Sequence, residues 1–140
     1  MTERPGADLL DTDRVIDGLS GDGITVALFH ALRPSGLAMS IITYVEIFEG
    51  ILGSRDPVRA EQTFRAFLRG TAVIGIDQAV AERAAAIWAN LRGRQRPVTD
   101  RAMDILIAAT AIKLNLTLMS RNVRDCHDIP RLRLFNGTSA

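Results

Sequence analysis

Acidic side chains recur in this sequence next to short apolar runs. Asp11 follows the first such run, Glu46 lies just after the run at 37–41, and Asp104 heads an apolar helical segment. If the runs are parallel strands, their carboxyl ends share one edge, where ligands bind. Converging carboxylates repel one another unless a cation lies between them, and their hard oxygens suit Mg²⁺ or Mn²⁺. Such a site would support phosphoryl-transfer chemistry.

The spacing of these acids does not by itself establish a metal site. Four further acids have an ordinary explanation as helix caps or solvated groups: Asp13, Asp17, Glu49 and Asp100. Asp11 and Asp104 are harder to explain in this way, because a carboxylate beside a buried apolar segment needs a partner or a metal. Residue spacing therefore leaves metal binding and helix capping as open alternatives.

The elements that would position these acids follow from the hydrophobic pattern. Strand-like apolar runs lie at 9–10, 37–41, 72–76, 116–120 and 132–135. Between them, apolar residues recur at helical spacing, with Thr43 and Asp77 as expected N-caps. Strands that alternate with helices predict an α/β fold, in which helices cover both faces of a central, mostly parallel twisted sheet.

Length and composition indicate one soluble domain over residues 1–140, with flexible ends at 1–7 and 137–140. The chain is 47% hydrophobic and 24% charged, with a net charge of +1. Cys126 is the only cysteine, so a reducing compartment is expected. No leader is evident, and no apolar stretch reaches the roughly 18 residues of a membrane span. We therefore expect a cytoplasmic protein without a membrane partner.

Several other chemistries lack the residues that they require. The sequence contains no Cys/His cluster, no P-loop and no GxSxG motif, so zinc, nucleotide-triphosphate and serine-nucleophile sites are not indicated. His30 and His127 are the only histidines, and we interpret both as surface or packing residues.

Three segments in order resemble a known family. They are LLDTDRVID, then SIITYVEIFEG with Glu46 four residues before Gly50, then DILIAATAIKLNLTLMSRNVRDCHDIPRLRL beginning at Asp104. Together they span Leu9 to Leu134 and resemble the PIN domain, in particular the VapC-type toxins of bacterial toxin–antitoxin pairs. The resemblance implies a three-layer α/β/α fold and a ribonuclease that depends on Mg²⁺ or Mn²⁺.

The resemblance also implies the site residues. Asp11, Glu46 and Asp104 would be the principal metal-binding and catalytic carboxylates. Many relatives have a fourth acid directly after a Thr-Arg pair, but Asn122 occupies that place here, so either Asp125 or Asn122 would complete the site.

Substrate binding would draw on two further groups of residues. Thr12, Ser120 and Asn122 would position substrate or water through hydrogen bonds. The loop RGRQRPVTDR contains Arg94 and Arg96, which could hold RNA phosphates or could be an ordinary solvated stretch.

The implied partners are an RNA substrate, such as tRNA or rRNA, a VapB-like antitoxin and a second copy of the chain. The antitoxin would lay an apolar helix in a groove and direct an arginine at the acids. Exposed residues of ITVALFHAL, or those around Phe64 and Phe67, could form that groove, although core packing would explain them equally well.

Two alternatives remain at this level. One is a PIN-fold module that binds RNA or antitoxin with little or no catalysis, which the missing acid at Asn122 would suit. The other is a haloacid-dehalogenase-type phosphatase, in which Asp11 is the nucleophile and Asp13 the general acid. The phosphatase lacks support because Lys113, the only lysine, lies within an apolar helix and no suitable acidic pair follows it.

Overall fold

The structure is a computed structural model that describes residues 8–94, 101–121 and 128–135. Its five strands are β1 (Asp8–Leu10), β2 (Leu37–Ser40), β3 (Thr71–Ile74), β4 (Thr117–Met119) and β5 (Arg133–Phe135). Its six α-helices are α1 (Thr12–Leu19), α2 (Gly23–Leu32), α3 (Ile41–Leu52), α4 (Pro57–Leu68), α5 (Gln78–Gly93) and α6 (Ala102–Lys113). A short 3₁₀ helix, Arg33–Ser35, follows α2.

The five strands form one parallel sheet in the order β3-β2-β1-β4-β5. Leu9 in β1 pairs with Ala38 in β2 on one side and with Leu118 in β4 on the other. The chain therefore adds β2 and then β3 on one side of β1, and afterwards adds β4 and β5 on the other side of β1. This change of direction beside β1 is the kind of position where sheets of this class bind ligands.

Alternate residues of the strands point to two separate hydrophobic layers. Leu9 and Leu118 face a layer formed mainly by α5 and α6, while Leu10 and Met119 face a layer formed by α1 to α4. All four side chains are at most 1% exposed. Because both faces of the strands are buried, the strand segments are continuously apolar instead of alternating. The three-layer α/β/α prediction is confirmed, and the described sheet is entirely parallel.

Two helix starts show why strand ends carry polar residues here. Ser40 and Asp77 are the N-caps of α3 and α5, where their side chains accept hydrogen bonds from the backbone N–H groups of Ile42 and Val80. The prediction for Asp77 is confirmed. The prediction that Thr43 caps α3 is wrong, because the helix begins at Ile41, immediately after the strand, and Ser40 takes the capping position.

The predicted flexible segments 1–7 and 137–140 lie outside the described residues. Within the described ranges, none of the helices alone has both the length and the apolar character to span a bilayer. The pair Thr12–Leu19 and Gly23–Ser35 meets those criteria jointly, but it bends by 110° at its break.

Candidate active site

Asp11 lies at the centre of the acidic edge of the sheet. It directly follows β1, begins α1 as its N-cap, and accepts a 2.8 Å hydrogen bond from the backbone N–H of Thr12. Its side chain is buried, and burial is the main reason why the pKa of this carboxyl rises from its ordinary 3.8 to about 6. A hydrogen bond with Ser120, at the end of β4, opposes that rise in pKa.

Two other carboxylates add to the raised pKa of Asp11. Asp13, in the first turn of α1, and Asp104, in the first turn of α6, both repel the ionised form of Asp11. Asp104 itself is solvent-exposed. The fold thus brings carboxylates from two distant sequence segments into electrostatic contact beside β1.

Glu46 is connected to the same edge through a threonine hydroxyl. Thr12 Oγ1 contacts Glu46 Oε1 at hydrogen-bonding distance, and it also lies 3.2 Å from Thr43 Oγ1. Because an ionised carboxylate can only accept, the Thr12 proton goes to Glu46, and Thr43 is then the donor to Thr12. This chain holds the Glu46 side chain toward the end of β1.

The donor chemistry of this edge fits a hard divalent cation, since its ligands would be carboxylate oxygens and its buried member is repelled by its neighbours. Within residues 8–94, 101–121 and 128–135, no three His, Cys, Asp or Glu side chains are grouped closely enough to hold a metal ion. Asp11, Glu46 and Asp104 therefore share one edge of the sheet without forming a closed set of ligands.

Arg121, which follows Ser120, introduces positive charge at this edge. Its Nε lies 3.3 Å from Asp17 Oδ2 and 3.7 Å from Asp13 Oδ2, two carboxylates that are one turn apart on α1. Asp13 and Asp17 were interpreted from sequence as capping or solvated residues. The structure assigns the capping position to Asp11 and places both acids in contact with Arg121.

Two arginines of the loop RGRQRPVTDR, Arg94 and Arg101, bind Asp128 within the protein. Arg101 makes two hydrogen bonds, of 2.8 and 3.1 Å, to the carboxylate of Asp128, whose side chain is 7% exposed. Arg94 Nη2 donates to the backbone carbonyl of Asp128 at 2.9 Å. These contacts fasten the ends of the arginine-rich loop to the segment before β5, so a role of Arg94 in RNA binding stays a prediction.

Four sequence-predicted residues have no structural description. Asn122, Asp125, Arg96 and Asp100 lie outside the described residues, so the question of the fourth site position stays open. Thr43, interpreted from sequence only as a helix cap, belongs instead to the hydrogen-bonded chain that reaches Glu46 through Thr12. Its signal was its place one helical turn before Glu46, which puts both residues on one side of α3.

A groove of about 680 Å³ opens next to Glu46, between α1, α3 and α4. Its apolar lining includes Ile16, Leu19, Ile47, Ile51 and Ala60. Of the two explanations left open for Phe64, core packing is the one that holds, because this side chain is fully buried. Phe67 packs against that core, 5.8 Å from the Phe29 ring.

The chain belongs to the PIN domain family, whose model matches residues 9–131. That family is one of nucleases, which agrees with acids gathered at the carboxyl edge of a parallel sheet, and it excludes the phosphatase alternative. No curated protein sequence matches the chain significantly.

Solved structures of similar chains share this fold. A toxin–antitoxin complex from Klebsiella pneumoniae contains a chain with 29% identity and a TM-score of 0.71, and the match covers 93% of this chain and 97% of that one. A chain of DNA-bound VapBC from Salmonella typhimurium has 26% identity, a TM-score of 0.84 and coverage of 92% and 96%. A chain of VapBC2 from Rickettsia felis, bound to a promoter DNA fragment, has 21% identity, a TM-score of 0.85 and coverage of 92% and 97%.

Proposed function

We propose that this protein is an endoribonuclease that depends on Mg²⁺ or Mn²⁺ and acts as the toxin of a toxin–antitoxin pair. The observation that carries the proposal is the raised pKa of Asp11, a buried carboxyl that Asp13 and Asp104 repel at the edge to which Thr12 also ties Glu46. Membership of the PIN family and similarity to VapBC chains support the same conclusion.

Asp11, Glu46 and Asp104 would hold the metal, with Asp125 or Asn122 as a further ligand. When bound, a divalent cation would activate a water for attack on an RNA phosphodiester and would stabilise the charge on the leaving 3′ oxygen. Ser120 orients the Asp11 carboxylate, and Thr12 orients that of Glu46. No side-chain nucleophile is needed, and the products would carry 5′-phosphate and 3′-hydroxyl ends.

The decisive test is cleavage of RNA by purified protein. Wild type should cut single-stranded RNA with Mg²⁺ or Mn²⁺, lose activity in chelator and regain it when metal is restored. Glu46→Gln and Asp104→Asn should each lower kcat/KM at least about 100-fold, because each removes a charged ligand. Glu49→Gln is the matched control, since Glu49 is exposed and lies one turn from Glu46 on the same helix.

One outcome would favour the binding-module alternative. If wild type binds RNA but leaves it intact at every Mg²⁺ and Mn²⁺ concentration, the protein is a binding module and the nuclease proposal is wrong. Analysis of the cleaved ends and of the RNAs cut, with tRNA and rRNA tested first, would then define the substrate of an active enzyme.

We propose a VapB-like antitoxin as the occupant of the groove between α1, α3 and α4. The similar chains from Salmonella and Rickettsia were solved as VapBC. The apolar lining suits an amphipathic helix, and Glu46, which also lines the groove, suits an arginine on that helix. The proposal also includes a homodimer and a cytoplasmic location.

A substitution at Ile16 tests whether the antitoxin binds in this groove, because Ile16 lines the groove and is 50% exposed in the free chain. Ile16→Glu should prevent co-purification of the cognate antitoxin, since the helix would have to bury an unpaired charge. Val58→Glu, at a position 68% exposed on α4 and outside this groove, should leave co-purification intact. Equal retention of the antitoxin by both variants would contradict this placement.

A further inference from the structure

Arg121 lies at the acidic edge, but no role in the proposed mechanism has been assigned to it. It follows Ser120, the residue that hydrogen-bonds to Asp11, so its backbone position is fixed by the end of β4. Its closest contacts with Asp17 and Asp13 both run through Nε, at 3.3 and 3.7 Å. The guanidinium is therefore held beside the site by contacts of its Nε atom with these two carboxylates.

Among the described residues, the Nη side of this guanidinium has no hydrogen-bond partner, and the side chain is 55% exposed. Both carboxylate contacts are longer than the 2.7–2.9 Å of a charge-assisted hydrogen bond, so they orient the group without saturating it. Arg94 and Arg101 differ, because both donate to Asp128.

We infer that Arg121 is a substrate-binding residue that receives a phosphate of the RNA backbone next to the scissile bond. This inference rests on the proposed nuclease function. A planar guanidinium whose two Nη groups make no hydrogen bond within the described residues matches the oxygens of a phosphodiester, and RNA must bring such groups to the acids that would hold the metal. Arg121 supplies positive charge beside Asp13, on the edge where phosphate and carboxylates would otherwise repel each other.

The test compares Arg121→Ala and Arg121→Lys with wild type. In Mg²⁺, Arg121→Ala should raise KM for single-stranded RNA about tenfold and change kcat less than about twofold, because one charge-assisted contact is lost. The slope of log kcat/KM against log salt should fall in magnitude by about 0.7, the value for one phosphate contact on a single strand. Arg121→Lys should keep the slope and recover only part of the affinity, because it retains the charge but lacks the fork.

Arg69→Ala is the matched control. Arg69 is also exposed, but it precedes β3 and therefore lies at the opposite edge of the sheet, so KM and the salt slope should not change. Mn²⁺ affinity measured by calorimetry should be the same in wild type and Arg121→Ala, which separates phosphate binding from damage to the acids. A second assay, fluorescence anisotropy of the same RNA in chelator, should show weaker binding for Arg121→Ala.

Unchanged KM, salt slope and anisotropy in Arg121→Ala, with an active wild type, would overturn the inference alone. An equal loss of Mn²⁺ affinity and kcat would also overturn it, since Arg121 would then act on the acids. A wild type that neither binds nor cleaves RNA would overturn both this inference and the proposed function.

Discussion

The hydroxyl of Thr12, one residue beyond the end of β1, donates a hydrogen bond to the carboxylate of Glu46 on α3. Behind it, Thr43 lies fully buried and hydrogen-bonds to Thr12 at 3.2 Å. Two threonines from different elements thus determine where a predicted metal ligand lies. The position of Glu46 depends on a contact that spans 34 residues of sequence.

Removal of either hydroxyl should therefore reduce catalysis. Thr12→Val should lower kcat/KM for RNA cleavage about 10- to 100-fold, because a hydrogen bond to a charged group is lost. Thr43→Val should have a smaller effect, of about threefold to tenfold, since it acts on Glu46 only through Thr12. Thr43→Ser, which keeps the hydroxyl, is the control and should stay close to wild type. Wild-type kinetics in both valine variants would show that the threonine chain has no positioning role.

The ionised Asp11 carboxylate should lower the free energy of unfolding at neutral pH. Its folded pKa, about 6, lies above the ordinary 3.8, so the folded state disfavours the charged form. The cost is complete above about pH 6 and is relieved as the pH falls toward about 4, because the folded state then takes up the proton first. Asp11→Asn should raise the free energy of unfolding without metal by about 2–3 kcal/mol at pH 7.5, and by much less near pH 4.

Urea unfolding of wild type and Asp11→Asn across this pH range would measure the difference. Comparison of the two proteins removes the contributions of the other carboxyls, which they share. A difference that did not vary between pH 4 and 7.5, or an Asp11→Asn protein less stable than wild type at pH 7.5, would contradict the raised pKa.

Metal binding should also depend on the protonation of Asp11, but here the charged form of the carboxyl is the favourable one. A carboxyl must lose its proton to bind a cation, so Mn²⁺ affinity should fall as the pH drops through about 6, approaching tenfold per pH unit. Calorimetric titration with Mn²⁺ at several pH values between 5 and 7.5 is the measurement. Asp17→Asn is a useful control, because Asp17 contacts Arg121 and is not among the proposed ligands. An affinity that stays constant over this range would remove Asp11 from the ligand set.

The ion pair of Arg101 and Asp128 should stabilise the start of α6. Asp128 is nearly buried and binds the Arg101 guanidinium through both carboxylate oxygens. Arg101 directly precedes the first turn of α6, which contains Asp104. Asp128→Asn should lower the free energy of unfolding by about 2–4 kcal/mol, because a largely desolvated arginine loses its counter-charge. Kinetic assays should also show weaker RNA cleavage, since Asp104 would be held less firmly.

Glu82→Gln, an exposed substitution on α5, serves as the comparison and should change stability by less than about 0.5 kcal/mol. If Asp128→Asn were equally neutral in urea unfolding, the pair would be an ordinary surface contact. The same variant with reduced stability but full cleavage would show that Asp104 does not depend on this pair.

Much of the architecture could be predicted from the sequence because it depends on local rules. Apolar runs separated by helical periodicity predicted every described strand and the parallel sheet, although β2 ends at Ser40 and α3 begins immediately afterwards. Asp77 was recognisable as a cap because capping needs only one side chain and the next three residues. Thr43 was misassigned because a threonine near a helix start has the same local signal whether it caps or packs inward.

The sequence by itself determined the kinds of chemical group present, namely strand-end carboxylates, hydroxyls and arginines, and the order of elements that bear them. Only the tertiary structure decided which groups meet, because contacts such as Thr12 with Glu46 and Arg101 with Asp128 join residues far apart in the chain. The raised pKa of Asp11 is likewise a tertiary property, since burial and two neighbouring charges produce it. The same reasoning applies to Arg121, whose contacts with Asp13 and Asp17 are defined by how α1 and β4 pack together.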